Sequence, residues 1–152
     1  MTLGEPIFRR ATSADIPAIV AMLADDALGA TRESLDDLAL YEAAFQRIEA
    51  DPNQLLVVVE QDGAVVGTLQ LTFIAGLSRM GMTRALIEAV RVQGNARSGG
   101  LGTRMVEWAV AEARVRGCGL IQLTTDRTRA DAHRFYERLG FEPSHIGYKK
   151  TL

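Results

Sequence analysis

The sequence predicts a mixed α/β fold in a single domain that spans residues 1–152. Apolar runs with strand character alternate with segments whose apolar residues recur at helical spacing. No linker, repeat or low-complexity stretch divides the chain, and its length is enough to bury one core. Apolar residues make up 47% and charged residues 24%, which is typical of a globular protein. The predicted element order is β-α-α-β-β-β-α-β-α-β-β.

The first half of the chain predicts three strands and two helices. Thr12 or Ser13 can cap the first helix, and Asp51-Pro52-Asn53 ends the second. Asp62-Gly63, between two valine-rich runs, is a strong hairpin signal. The predicted strands are 7–10, 55–61 and 64–74, and the predicted helices are 13–26 and 32–50.

The second half predicts alternating strands and helices. Gly117 and Gly140 stand where the two helical patterns stop. The predicted strands are 83–92 and 120–124 with two short strands within 141–152, and the predicted helices are 100–116 and 129–139.

A glycine-rich turn lies between strand 83–92 and helix 100–116. Glycines allow close approach of the backbone, and the first N–H groups of a helix have no partner within it. The helix dipole favours an anion there, and Arg97 can add charge-assisted hydrogen bonds. Gly102-Thr103-Arg104 lacks the lysine of a P-loop, and Gly100-Leu101-Gly102 lacks the third glycine of a dinucleotide fingerprint. We therefore expect a phosphate or pyrophosphate site of another kind.

Two motifs resemble the GNAT superfamily of N-acetyltransferases. Residues 97–102, Arg-Ser-Gly-Gly-Leu-Gly, resemble its acetyl-CoA pyrophosphate loop, Arg-x-x-Gly-x-Gly, and Val92 matches the valine five residues earlier. Residues 132–141, Ala-His-Arg-Phe-Tyr-Glu-Arg-Leu-Gly-Phe, resemble Ala-x-x-Phe-Tyr-x-x-Leu-Gly-Phe. The resemblance implies a mostly antiparallel sheet flanked by helices, and acetyl-CoA as co-substrate.

The resemblance also implies which residues bind acetyl-CoA. Many family members carry asparagine where Arg129 stands, so a contact from Arg129 has to be made differently. The implied cofactor-binding residues are Val90, Val92, Arg97, Ser98, Gly99, Gly100, Leu101, Gly102, Thr103, Arg129 and Phe135.

Acyl transfer to an amine requires a base for the ammonium, donors for the oxyanion and an acid for the thiolate. Tyr136 matches the tyrosine that lies near the CoA sulfur in the family, and is the expected acid. Its alternative is a packed tyrosine whose hydroxyl contacts only cofactor or water. By analogy with the family, a backbone N–H where the strand splays at Val92 is the expected oxyanion donor.

Glu88 is the expected base, because a carboxylate inside an apolar strand is costly unless it is paired or functional. A two-residue period places Glu88 on the same face as Val90 and Val92. Alternatively, Glu88 pairs with an arginine such as Arg84 or Arg91, or faces solvent. Asp126 is a second candidate base, or a turn cap.

Charge and composition bound the partners. Residues 1–78 carry 4 basic and 12 acidic side chains (−8), and residues 79–152 carry 13 and 7 (+6). The basic half suits polyanionic CoA, and the acidic half suits a cationic acceptor or is a solvated face. The sequence lacks a basic run with interleaved aromatic residues, so nucleic acid is not an expected partner. It also lacks an apolar run long enough to cross a membrane. The chain has only two histidines and Cys118, so the sequence predicts no cluster of metal ligands. A single cysteine forms no disulfide within the chain, which is typical of proteins in the reducing cytoplasm.

The preferred interpretation is an acetyl-CoA-dependent N-acetyltransferase acting on a primary amine of a small molecule by direct attack, without a metal. Candidate acceptor-lining residues are Asp25, Asp26, Glu33, Tyr41 and His145. The alternatives are acetylation of protein N-termini or lysines, and a non-catalytic CoA-binding sensor module. Homodimers are common in the family that the chain resembles.

Overall fold

A five-stranded sheet forms the centre of the computed structural model, which describes residues 2–97 and 99–152. The strand order is β1-β2-β3-β4-β5. Strands β1 to β4 pair antiparallel with one another, and β5 pairs with β4 in parallel. The strands are β1 Ile7–Arg10, β2 Gln54–Gln61, β3 Ala64–Ile74, β4 Arg84–Val92 and β5 Leu120–Gln122. The helices are α1 Ile16–Ala24, α2 Gly29–Arg32, α3 Ala39–Ala50, α4 Leu101–Val115 and α5 Ala130–Arg138.

These elements confirm the predicted mixed α/β fold with a mostly antiparallel sheet. Asp62 and Gly63 both have positive φ, 51° and 80°, as the predicted tight hairpin between β2 and β3 requires. No helix among the described residues has the length and apolar character that crossing a membrane requires.

Helices cover both faces of the sheet. On one face, α4 packs its buried residues Met105 and Ala109 against Val57, Leu71 and Ile87 of the strands. On the other face, α1 and α3 pack around Val58. Both clusters contain side chains that are almost fully buried, and burial of each such side chain contributes roughly 1.5–3 kcal/mol of stability.

The predicted helix 32–50 is wrong at its start. The chain forms the single turn α2, becomes extended at Glu33 (φ −102°, ψ 154°), and begins α3 only at Ala39. The Asp37 side chain accepts the Ala39 N–H at 3.2 Å, so an aspartate competes with the helix for its backbone. Leu35, expected on the apolar side of this helix, is exposed.

The two strands predicted within 141–152 are not formed. Residues 142–152 have no regular secondary structure and are exposed, although Phe141 packs against the core of the sheet. Pro143 and Gly147 interrupt the segment, and none of the described strands is hydrogen-bonded to it.

Strand β4 contains a bulge that the sequence pattern does not show. Gln70 of β3 pairs with Glu88, whereas Thr68 pairs with Arg91, so one extra residue of β4 is inserted between them. Ala89 takes up the insertion with a left-handed backbone, φ 53°. The bulge reverses which face each later residue of β4 occupies.

Candidate active site

The first turn of α4 is built to receive an anion. Gly100 precedes it with φ 75°, and no side chain caps the helix start. The first backbone bond into this turn is donated by the Arg104 N–H to the Gly100 carbonyl, at 3.3 Å. The N–H groups of Leu101, Gly102 and Thr103 therefore lack an acceptor within the helix. A Cβ added to Gly100 would have nothing within 4 Å, so the backbone is open to a ligand.

These features fit a pyrophosphate as the sequence predicts. The helix is 15 residues long, and its dipole places about +0.5 of an elementary charge at this end. The side chain of Leu101 is buried in the core, so its contribution to a ligand is limited to the backbone. Ser98, predicted to contact the cofactor, lies outside the described residues.

Arg97 reaches away from the helix start. Its guanidinium donates to the Val92 carbonyl at 3.0 Å, and to the Asp25 carbonyl and carboxylate at 3.2 and 3.1 Å. Both side chains of this pair are more than half exposed, so the pair is a weak surface contact. An anion at the helix start would compete with Asp25 for Arg97.

A gap opens between β4 and β5 beside this loop. The two strands pair only over Arg84–Leu86 and Leu120–Gln122, after which β4 continues to Val92 without β5. The predicted splay at Val92 is therefore wrong in position, since the strands separate five residues earlier. Val90 and Val92 lie on the face of the sheet that α4 covers, and both pack against the hydrophobic core between the sheet and α4.

Glu88 lies on the opposite face from Val90 and Val92, and the prediction of a shared face is wrong. The bulge at Ala89 breaks the two-residue period, so Glu88 shares its face with Arg91, on the side covered by α1 and α3. Glu88 is exposed and forms no ion pair with any described residue, Arg84 and Arg91 included. Its carboxylate is thus available at the bulge.

Tyr136 of α5 is enclosed by aromatic rings. It makes edge-to-face contacts with Phe135 and Phe141, with ring centroids 5.0 and 5.8 Å away. Burial raises the pKa of its hydroxyl, and the charges of Arg91 and Arg129 oppose that rise. The hydroxyl makes no hydrogen bond within the described part of the chain. Tyr136 is therefore a neutral phenol at pH 7 with a proton to donate.

The helix that carries Tyr136 also reaches the anion site. The Phe135 ring lies 3.5 Å from a Cβ added to Gly102, so α5 packs directly on the start of α4. This contact brings the two sequence motifs, which lie 30 residues apart, into one site.

Asp26 joins the elements that surround the gap. Its carboxylate accepts hydrogen bonds from the Gly29 N–H and from the guanidinium of Arg129, the latter at 3.0 Å. It also lies 3.4 Å from Nε of Arg91. The Gly29 N–H, Arg129 and Arg91 together hold the pKa of Asp26 below its ordinary value. Arg129 therefore contacts the segment that follows α1.

A cavity of about 160 Å³ opens on the Glu88 side of the sheet, between α1 and α3. Its walls are apolar side chains such as Ile19, Leu23 and Phe45, together with Tyr41. Its floor is Thr68, Gln70 and Ala89, so it reaches the bulge next to Glu88. The Tyr41 hydroxyl accepts the Ser34 N–H at 2.9 Å, which fixes one wall.

The remaining predicted groups lie elsewhere. Asp126 accepts the N–H and hydroxyl of Thr128, so it caps a turn. Cys118 is half-buried, and burial raises the pKa of its thiol, which makes it a poor nucleophile. Among residues 2–97 and 99–152, no group of three or more His, Cys, Asp or Glu side chains is arranged to hold a metal ion.

Comparison with known proteins identifies the class to which this fold and site belong. The acetyltransferase (GNAT) family profile matches residues 19–141. An aminoalkylphosphonate N-acetyltransferase from Salmonella typhimurium is 31% identical over 144 residues, which cover 95% of this chain and 90% of that protein. The chain belongs to the acetyltransferase (GNAT) family. It is an N-acetyltransferase of the kind that uses acetyl-CoA.

Solved structures give the same fold. A transcriptional regulator from Bacillus halodurans superimposes with a TM-score of 0.94 at 45% identity, over 97% of this chain and all of that chain. Glucosamine-6-phosphate N-acetyltransferase from Arabidopsis thaliana has a TM-score of 0.80 at 18% identity, over 97% and 98% of the chains. The second likeness concerns the fold alone.

Sequence reasoning missed two residues of the site, Ala89 and Gln70, and the ion pairs of Asp26 with Arg91 and Arg129. Ala89 looks like an ordinary strand residue, and Gln70 becomes visible only when β3 and β4 are paired. The sequence suggests Glu88 as a possible partner of Arg91, but Arg91 pairs with Asp26. The 103-residue separation between Asp26 and Arg129 left no local signal for their ion pair.

Proposed function

We propose that this enzyme transfers the acetyl group of acetyl-CoA to the primary amine of a small molecule by direct attack. The observation that supports this most is the meeting of two sites at the β4 bulge. An uncapped helix start and a strand gap lie on one side, and an apolar cavity with a free carboxylate lies on the other. Donor and amine can thus approach the same point of β4 from opposite faces.

Three groups of this chain carry the reaction in our proposal. Glu88 takes a proton from the acceptor ammonium, directly or through water, because only a neutral amine is nucleophilic. A backbone N–H at the bulge donates to the carbonyl oxygen as that oxygen gains charge. Tyr136 gives its proton to the departing sulfur. Acetyl-CoA supplies the activated thioester, and no metal takes part.

The first turn of α4 holds the cofactor in this proposal. The N–H groups of Leu101, Gly102 and Thr103 bind its pyrophosphate, and Arg97 adds its charge after leaving Asp25. Gly99, Gly100 and Ser98 are further cofactor-binding residues in this proposal. Val90, Val92, Phe135 and Arg129 are the remaining cofactor-binding residues in this proposal.

The acceptor is a small amine held in the cavity between α1 and α3. The Salmonella relative is an aminoalkylphosphonate N-acetyltransferase, and we infer that aminoalkylphosphonates belong to the substrates to be tried first. Arg91 lies on the same face of the sheet as this cavity. Arg91 and Arg129 share the one carboxylate of Asp26, so both retain capacity to bind an anionic group on the acceptor. The reaction takes place in the cytoplasm, with neither nucleic acid nor membrane as partner.

A thiol-release assay with a panel of amines tests the proposal. The panel contains aminoethylphosphonate, ethylamine as its matched control without phosphonate, a peptide N-terminus and a lysine peptide. We expect release with at least one small amine and faster release with the phosphonate. Release with peptides alone would favour protein acetylation.

A second candidate is a non-catalytic sensor that binds CoA. The Bacillus halodurans protein, 45% identical, is named a transcriptional regulator. Calorimetry separates the candidates, because a sensor binds acetyl-CoA but releases no thiol with any amine. Absence of acetyl-CoA binding would contradict both.

A further inference from the structure

The cavity between α1 and α3 is bounded mostly by hydrocarbon. All of its lining residues except Tyr41, Thr68 and Gln70 are aliphatic or phenylalanine. Of the described residues, none that lines the cavity carries a charge. Cavities with apolar walls of this kind stay dry and accept apolar groups. The walls therefore favour a hydrocarbon part of a ligand over a polar part.

The three polar side chains of the lining already have partners. The Thr68 hydroxyl donates to the Val57 carbonyl at 2.9 Å, and the Gln70 amide donates to Oε1 of Gln54 at 2.9 Å. The Tyr41 hydroxyl accepts a backbone N–H. A hydrogen bond to a ligand would have to replace or share these bonds, so it would add little net stabilisation. The cavity thus offers a ligand mainly apolar contact.

The floor of the cavity lies at the β4 bulge. Ala89 forms part of this floor with φ 53°, a left-handed conformation that is unfavourable for residues other than glycine and is retained mainly at functional sites. Ala89 directly follows Glu88, and Gln70 pairs with Glu88 across the sheet. An amine held at Glu88 therefore has the cavity beside it, so the carbon atoms attached to the amine can enter.

We propose that the acceptor amine carries an apolar group of about five or six carbon atoms, and that the cavity between α1 and α3 binds this group. This inference rests on the proposed function, because it concerns the amine that Glu88 deprotonates. The volume supports the size of the group. The cavity measures about 160 Å³, and an apolar protein cavity of roughly 150 Å³ takes up benzene.

The substrate class is therefore a primary alkylamine or arylalkylamine. Amino sugars and polyamines do not belong to it, because their polar groups would lose water in the cavity without gaining partners. Among aminoalkylphosphonates, those with an apolar side chain fit this class. Their side chain would occupy the cavity while the phosphonate stays outside it.

A thiol-release assay with amines of increasing length tests the inference. We expect kcat/KM to rise by about 4-fold with each added methylene from ethylamine through butylamine to hexylamine, since each one leaves water for the cavity. The matched control is 5-aminopentanol, which has the length of hexylamine but ends in a hydroxyl. Its kcat/KM should be lower than that of hexylamine by about 10-fold or more.

A substitution that fills the cavity tests its location. Ala44 lines the cavity from α3, so Ala44→Leu should lower the ratio of kcat/KM for hexylamine to that for ethylamine by about 10-fold or more. Ala43→Leu is the matched control, because Ala43 is the exposed neighbour on the same helix and lies outside the cavity lining. Leucine is a good helix former, and far-ultraviolet circular dichroism verifies that both variants are folded.

The outcomes separate this inference from the proposed function. Acetylation of ethylamine or aminoethylphosphonate without any gain along the alkyl series would overturn the inference and leave the proposed function standing. An equal fall of the ratio in Ala43→Leu and Ala44→Leu would also overturn it, because the apolar group would then not lie in the cavity. Absence of thiol release with every amine would overturn both.

Discussion

Among single residues, Tyr136 has an environment suited to giving up a proton. Its raised pKa keeps the phenol protonated at neutral pH, and its hydroxyl is free of protein acceptors in the described chain. We expect Tyr136→Phe to lower kcat by about 100-fold, as loss of a general acid does, with acetyl-CoA affinity nearly unchanged. Steady-state kinetics and calorimetry measure the two quantities.

The pH dependence of kcat provides a further check of this role. Because burial raises the pKa of Tyr136 above its ordinary 10.0, the midpoint of any activity loss by ionisation of this acid should lie above pH 10. Tyr148→Phe is the control, since Tyr148 is 90% exposed, and should leave kcat unaltered. Full activity of Tyr136→Phe would assign the tyrosine to packing.

Glu88 is the residue whose role depends on the acceptor. An alkylamine with a pKa near 10.4 is almost fully protonated at pH 7, so a base matters most there. Glu88→Gln should lower kcat about 100-fold at pH 7, and the deficit should shrink as pH approaches 10. Glu107→Gln, an exposed change on α4, is the control. An equal deficit at every pH would exclude Glu88 as the base.

Arg97 and Asp25 form a pair whose two substitutions should have opposite effects. Arg97→Ala removes a charge-assisted bond to phosphate worth about 1.5–3 kcal/mol, so the acetyl-CoA Kd should rise roughly 10- to 100-fold. Asp25→Asn frees Arg97 from an exposed pair worth less than about 1 kcal/mol, so binding should tighten by at most about 5-fold. Calorimetry measures both, and weaker binding by Asp25→Asn would contradict the competition.

At the scale of elements, the two ends of α4 offer a matched pair of glycines. Gly100 and Gly117 have φ of 75° and 78°, and neither has a neighbour within 4 Å of an added Cβ. Alanine at either position costs roughly 1 kcal/mol of backbone strain. Only Gly100→Ala places a methyl group at the anion site, so it alone should raise the acetyl-CoA Kd, by about 10-fold or more.

Urea unfolding and calorimetry on both variants separate strain from binding. Equal loss of stability with unequal loss of affinity is the expected result. If Gly117→Ala weakened binding as much as Gly100→Ala, the effect would belong to the helix as a whole and the anion site would be misplaced.

Elements were predictable where the signal was local. The Asp62-Gly63 hairpin and the helix that follows Gly100 depend on neighbouring residues, and both form as predicted. The face of Glu88 was not predictable, because the bulge at Ala89 becomes apparent only when β3 is paired with β4. The start of α3 was missed because Asp37 competes for the backbone within a pattern that still has helical spacing.

For the whole molecule, the uneven charge of the chain has a structural use. Ion pairs between the acidic first half and the basic second half include Asp25–Arg97, Asp26–Arg91, Asp26–Arg129 and Glu5–Arg104. These pairs hold α1 and the N-terminal segment against β4, α4 and α5. The charge distribution predicts that the acidic and basic halves bind different external partners. In the structure, some of the charged side chains of each half instead form ion pairs with the other half.

Asp26 is the centre of this attachment, and its contribution should depend on pH. Its folded-state pKa is lowered, so its stabilisation is present above the unfolded value near 3.8 and is lost as pH falls through the folded value. Asp26→Asn should therefore lower the free energy of unfolding by about 1–2 kcal/mol at pH 7, a figure reduced because Arg129 is 35% exposed. The deficit should be smaller at pH 3 and absent in stronger acid.

Urea unfolding at the three pH values measures this change. Asp131→Asn is the control, because Asp131 is 97% exposed in its pair with Arg134 and should matter little at any pH. A constant deficit for Asp26→Asn across pH would mean that the side chain stabilises by packing alone. A deficit that follows the protonation of wild-type Asp26 would establish that charge joins the end of α1 to the strand and helix that border the active site.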